Sequence, residues 1–161
     1  MGSGKSVTAK RLSGLLKYDF VDLDSEIEKK QNRSIADIFR EYGEERFRDL
    51  EEQVFAEVAK QDRIVLATGG GIILRGANVQ KMKETGAVVY LRTSPDVLWQ
   101  RVASKSHRPL LNTENPEGSL RNLFMQRKDT YEKTCDHAVD TDGKAPEEVA
   151  IEISTMLENI K

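Results

Sequence analysis

The chain has 161 residues, 38% hydrophobic and 32% charged, which suits one soluble globular domain with a core of its own. Its formal charge of −2 gives no general attraction to nucleic acid or an anionic membrane, and a single cysteine, Cys135, excludes a disulfide framework and a cysteine-based zinc site. No apolar run of membrane length and no cleavable signal pattern occurs, so the expectation is a cytoplasmic monomer with neither nucleic-acid nor membrane partners.

The chain opens on Met1-Gly2-Ser3-Gly4-Lys5-Ser6. Gly4-Lys5-Ser6 is the second half of the phosphate-binding pattern G-x-x-x-x-G-K-[ST]. Glycines let backbone N–H groups close around phosphate oxygens where a Cβ would intrude. Ser6 to Lys17 is helical in pattern, with Leu12, Leu15 and Leu16 on one face. The N-terminus of such a helix aims unpaired donors and a partial positive charge at an anion. On this reading Gly2, Ser3, Gly4, Lys5, Ser6 and Val7 surround the phosphates of ATP, Lys5 reaches the terminal ones, and the Ser6 hydroxyl ligates Mg²⁺. The pattern's first glycine and the strand feeding the loop would lie upstream of Met1, so the expectation is a late start or a shortened chain. Two other uses of the opening stay open. It could be a flexible Gly-Ser terminus, or an N-myristoylation signal, which Met-Gly-x-x-x-Ser fits although no polybasic run follows.

Helical and strand-like patterns alternate from there to the end, which predicts a parallel sheet flanked by helices. Tyr18 to Leu23 reads as a buried strand, followed by a helix over Ser25 to Gln31. Ser34 can cap the next helix, with Asp37 completing a capping box, and Gly43 breaks it. From Glu44 to Lys60, Phe47, Leu50, Val54, Phe55 and Val58 form one apolar stripe. Ile64 to Ala67 is a strand running into Thr68-Gly69-Gly70-Gly71. Arg75 to Glu84 reads as helix, Ala87 to Leu91 as strand, and Ser94-Pro95 starts a helix over Asp96 to Ser104. The polar loop from Lys105 to Gly118 is long enough to be functional. A helix over Ser119 to Thr134, a short strand at Ala138-Val139 and a helix opened by Pro146 complete the chain.

Most candidate residues have an ordinary reading when taken singly. Asp22 and Asp24 sit at a strand end, but Asp24 could be a helix cap. Arg48 falls outside its helix's apolar stripe and could pair at the surface with Glu51 or Glu52. The triple glycine permits close backbone approach to a bound group, or is a tight turn. Arg127 and Tyr131 could be a helix surface pair, and His107 and His137 lack ligand-like spacing.

In combination and order, the residues resemble those of the shikimate kinases. The match is carried by Gly4-Lys5-Ser6, Asp22-Leu23-Asp24, Gly43-Glu44-Glu45-Arg46-Phe47-Arg48-Asp49-Leu50-Glu51, Gly69-Gly70-Gly71, Arg108-Pro109-Leu110-Leu111, Arg127-x-x-x-Tyr131 and Asp140-Thr141-Asp142. The resemblance implies an α/β fold, a three-layer α/β/α P-loop kinase with a parallel sheet, five-stranded in the family, and a mobile lid. Residues 1–161 would form one domain, with 32–60 the substrate-binding helical region and 105–118 the lid loop. The implied reaction moves the γ-phosphoryl group of MgATP to the 3-hydroxyl of shikimate, on the route to chorismate and the aromatic amino acids.

The resemblance also assigns roles, residue by residue. Asp22 holds Mg²⁺ through water, with Ser6; Asp24 accepts from the reacting hydroxyl as candidate base; Arg48 and Arg127 clamp the carboxylate. Gly69, Gly70 and Gly71 line the substrate hydroxyls; Lys5 and Arg108 close on the phosphates; Arg101 is a second nucleotide-side arginine; Lys144 and Pro146 lie in the adenine loop. A kinase for another small hydroxy acid such as gluconate, or a nucleotide-binding module inactive for want of the first strand, are the alternatives.

Overall fold

The computed structural model describes residues 2–103 and 113–159. Its elements run α1 (Lys5–Leu16), β1 (Asp19–Asp22), α2 (Leu23–Gln31), α3 (Ile35–Val58), β2 (Ile64–Ala67), a 3₁₀ turn (Ile72–Leu74) and α4 (Gly76–Thr85). They continue with β3 (Val89–Arg92), α5 (Pro95–Val102), α6 (Pro116–Thr134), β4 (His137–Asp140) and α7 (Pro146–Glu158). The alternation expected of an α/β protein is present. The strands are parallel and fall into two pairs, β1 with β2 and β3 with β4, not one continuous sheet. Among the described residues no strand joins the pairs.

Local chemistry accounts for most boundaries. Asp22 ends β1 and caps α2, accepting from the Ser25 amide at 3.3 Å, so the cap is Asp22, and Asp24 stands in the helix's first turn. Ser34 caps α3 by accepting from the Asp37 amide at 3.1 Å, while its own hydroxyl donates to the Asp37 carboxylate at 2.7 Å. Gly43 adopts φ 78° and ψ 177° inside α3, a kink that only glycine takes without strain, dividing the helix where the sequence pattern breaks. Ser94 with Pro95, and Asn115 with Pro116, start α5 and α6 with a side-chain cap and a proline in the first turn.

The stripe of Phe47, Leu50, Val54, Phe55 and Val58 is buried and meets Leu23 and Ile27 of α2 and Ile72 and Ile73 of the 3₁₀ turn. A second cluster joins Leu12 of α1 to Val139, Val149 and Ile153, with Val65 of β2 and Val89 and Leu91 of β3 packed on it. Members of both strand pairs therefore share one apolar layer. A third, smaller cluster sets Leu98 and Val102 of α5 against Leu120 of α6. Ligands in open parallel α/β folds sit beyond the carboxyl ends of the strands. Here those ends lead directly into Asp22, Thr68 and Thr141.

Candidate active site

Asp22, Thr68 and Thr141 line one cavity of about 590 Å³. At one end Gly2 to Thr8 form its wall. Gly4 precedes α1 at φ 82°, Gly2 takes φ 75°, and a Cβ on Gly2 would lie 2.9 Å from Cγ1 of Val102. The first turn of α1 contains no acidic residue, so the helix carries no counter-charge of its own at its positive end. The Ser6 hydroxyl donates to Asp22 Oδ2 at 2.6 Å. A hydroxyl and a carboxylate side by side are the hard oxygen ligands that Mg²⁺ takes. Among the described residues no group of three His, Cys, Asp or Glu could hold a metal ion. The pair therefore fits a cation that draws most of its remaining ligands from water and phosphate.

The other end is charged and enclosed. Arg48, expected as a possible surface pair, is 5% exposed. Its guanidinium donates to Glu51 at 2.7 Å and to Glu44 at 2.9 Å. Burial works against its charge, but the two carboxylates outweigh that and hold its pKa above the ordinary value. A Cβ on Gly71 would lie 2.3 Å from both Nη1 and Nη2 of Arg48, so the guanidinium occupies the space the missing side chain leaves. Glu51 is fully buried, and burial pushes its carboxyl above the ordinary range although Arg48 pulls the other way. Its Oε1 has no hydrogen-bond partner among the described residues. A Cβ on Gly69 would lie 3.1 Å from that oxygen and 3.3 Å from Asp24 Oδ1, so the glycine separates two carboxylates. Arg127 is 9% exposed, with Nη1 lying 3.5 Å from the Gly70 carbonyl.

The cavity thus brings together Lys5, Ser6, Asp22, Asp24, Arg48, Gly69, Gly70, Gly71 and Arg127, residues spread over most of the chain. Arg101 and Lys144 also line it. Arg101 donates to the carbonyls of Gly2 and Thr141, each at 3.4 Å, tying the first loop to the loop after β4. Lys144 pairs with Glu152 at 2.5 Å. Arg108 and the rest of residues 105–112 of the expected lid lie outside the described residues, and Pro116 to Gly118, expected as the end of that loop, instead form the first turn of α6, where Asn115 and Pro116 start a helix.

The family model for shikimate kinase matches residues 1–158. The chain belongs to the shikimate kinase family. The shikimate kinase of Thermodesulfovibrio yellowstonii is 42% identical over 153 residues, 95% of this chain and 88% of the relative. The shikimate kinase from Acinetobacter baumannii, solved in complex with shikimate, superposes with a TM-score of 0.96 at 37% identity, covering 100% of this chain and 90% of that one. A gluconokinase from Sinorhizobium meliloti 1021 reaches a TM-score of 0.58 at 17% identity over 99% of this chain and 88% of that one, a likeness of fold alone.

Residue-level reading of this family member missed two features. Ile35, Phe39 and Phe47 supply an apolar wall to the cavity, and the first two carry no motif by which they could be singled out. In the sequence Glu51 reads as a surface partner for Arg48 and as the last residue of a family motif, with no place in the site. Its spacing of three from Arg48 on a helix was the signal available, but spacing says nothing of burial.

Proposed function

We propose that this chain transfers the γ-phosphoryl group of ATP to the 3-hydroxyl of shikimate, giving shikimate 3-phosphate and ADP. The observation that carries the reading is the single cavity joining the α1 phosphate loop to two buried arginines. Shikimate is a small polyol with one carboxylate. Arg48 and Arg127 take the carboxylate, because planar guanidinium donors meet it two at a time. Asp24 and the Gly69-Gly70-Gly71 backbone face the hydroxyls, and Phe39 and Phe47 the ring. Residues 32–60 act as the substrate-binding region.

At the opposite end, the Gly2–Val7 loop cradles the phosphates, and Lys5 neutralises charge developing on the transferred group. Ser6 and Asp22 would hold Mg²⁺, which supplies charge neutralisation across the phosphate oxygens when bound. Arg101 and Lys144 border the nucleotide. Arg108, with the segment between α5 and α6 as a lid, closes on the phosphates and excludes water that would otherwise hydrolyse ATP. An ordinary aspartate is a feeble base, but phosphoryl transfer has a loose transition state and depends on positioning and charge stabilisation. Asp24 therefore orients the hydroxyl more than it activates it. The same reading has the protein acting in the cytoplasm as a monomer. No described helix is long and apolar enough to cross a membrane.

A coupled assay of ADP release with MgATP, comparing shikimate and gluconate, tests the proposal. Turnover on shikimate in clear preference to gluconate is expected. Turnover on gluconate alone would replace it with the second kinase reading, and nucleotide binding without turnover on either acid would leave only a binding module.

A further inference from the structure

Tyr131 stands four residues after Arg127 on α6, and both side chains reach one atom. The Tyr131 hydroxyl donates to the Gly70 carbonyl at 2.5 Å, the same oxygen that lies 3.5 Å from Arg127 Nη1. Tyr131 lines the large cavity and also a smaller one behind the glycine loop, so its ring is part of the wall between them. From behind, that ring is stacked on Tyr90 of β3, with centroids 5.0 Å apart and planes 21° apart. Burial raises the Tyr131 pKa, which keeps the phenol a donor. The next residue, Gly71, is the one against which the Arg48 guanidinium lies.

We infer that Tyr131 is a positioning residue for the acid substrate, holding the Gly70 carbonyl so that Arg127 is free to turn to a carboxylate while Gly71 stays seated against Arg48. This rests on the shikimate reading. A carboxylate outcompetes a neutral carbonyl for a guanidinium, because charge-assisted hydrogen bonds are roughly twice as strong as neutral ones. Once Arg127 turns, the Gly70 oxygen keeps a partner only through Tyr131. Without that hydroxyl, Arg127 must either stay on Gly70 or leave a half-buried acceptor without its protein partner, and each choice weakens acid binding. The nucleotide end shares none of these contacts.

The test compares Tyr131→Phe with Tyr90→Phe, which leaves the hydroxyl of Tyr131 in place. In Tyr131→Phe the KM for shikimate should rise roughly 3- to 10-fold, the scale of one lost half-buried hydrogen bond, with the KM for MgATP unchanged within about twofold. Amide exchange at Ile72 and Leu74, whose N–H groups bond back to Gly69 and Gly71, should accelerate in the same variant. Tyr90→Phe should alter neither KM by more than about twofold. The inference is overturned by an unchanged shikimate KM in Tyr131→Phe, by an equal rise for both substrates, or by the same split in Tyr90→Phe. Should the unaltered chain fail to phosphorylate shikimate, the proposed function falls separately. Amide exchange then still decides, since faster exchange in Tyr131→Phe upholds the anchoring of the loop and unchanged exchange overturns it.

Discussion

Replacing Gly71 with alanine isolates the contact on which the acid end of the cavity depends. Gly71 has φ −95° and ψ −5°, so alanine meets no backbone penalty and the effect is steric. The new Cβ would start 2.3 Å from Arg48 Nη1 and Nη2, and ordinary contact begins at 3.4 Å, so the guanidinium must move by 1.1 Å. A solvent-exposed arginine tip would do this at little cost. Arg48 is 5% exposed and is held by Glu51 at 2.7 Å and Glu44 at 2.9 Å, so a shift of that size takes its shorter bond out of hydrogen-bond range. A hydrogen bond to a charged group is worth about 1.5–3 kcal/mol, which converts to roughly a 10- to 100-fold weaker hold on the acid substrate. Steady-state kinetics of ADP release, varying shikimate and MgATP in turn, should show that rise in the shikimate KM with the MgATP KM nearly intact. An unaltered shikimate KM in Gly71→Ala, or a parallel rise for both substrates, would refute the reasoning.

Three further outcomes are expected. Arg48→Ala should raise the shikimate KM while sparing that of MgATP, and should also lower the melting temperature, because Glu51 is left buried without its ionic partner. An equal loss of affinity for both substrates would contradict the placement of α3. Lys5→Ala should reduce kcat far more than it raises the shikimate KM, which single-turnover measurements can separate. The Tyr90 phenol is pushed from 10.0 to about 12, by burial first and the neighbouring Tyr131 second. A raised folded-state pKa means its contribution to stability is fully present below pH 10.0 and lost as pH rises through about 12. Tyr90→Phe should therefore flatten the alkaline fall in melting temperature over that window, and an identical pH profile would count against it.

Much of the site is legible because it is written in short-range chemistry. Gly4-Lys5-Ser6 at a helix start, Ser34 and Ser94 as caps, Gly43 as a break and the apolar stripe from Phe47 to Val58 all depend on neighbours within a turn or two, where residue type and spacing suffice. The order of the motifs identified the family for the same reason. Tertiary structure alone decided the rest. It made Asp22, not Asp24, the cap of α2, and it turned Arg48 from a surface pairing into a buried ion pair. It set Gly71 against the Arg48 guanidinium and brought Tyr131 to the Gly70 carbonyl, 61 positions away in the chain. It also sorted the four described strands into two parallel pairs over a shared apolar layer. Burial and long-range contact depend on which surfaces meet once the helices pack, and neither periodicity nor spacing along one segment carries that information.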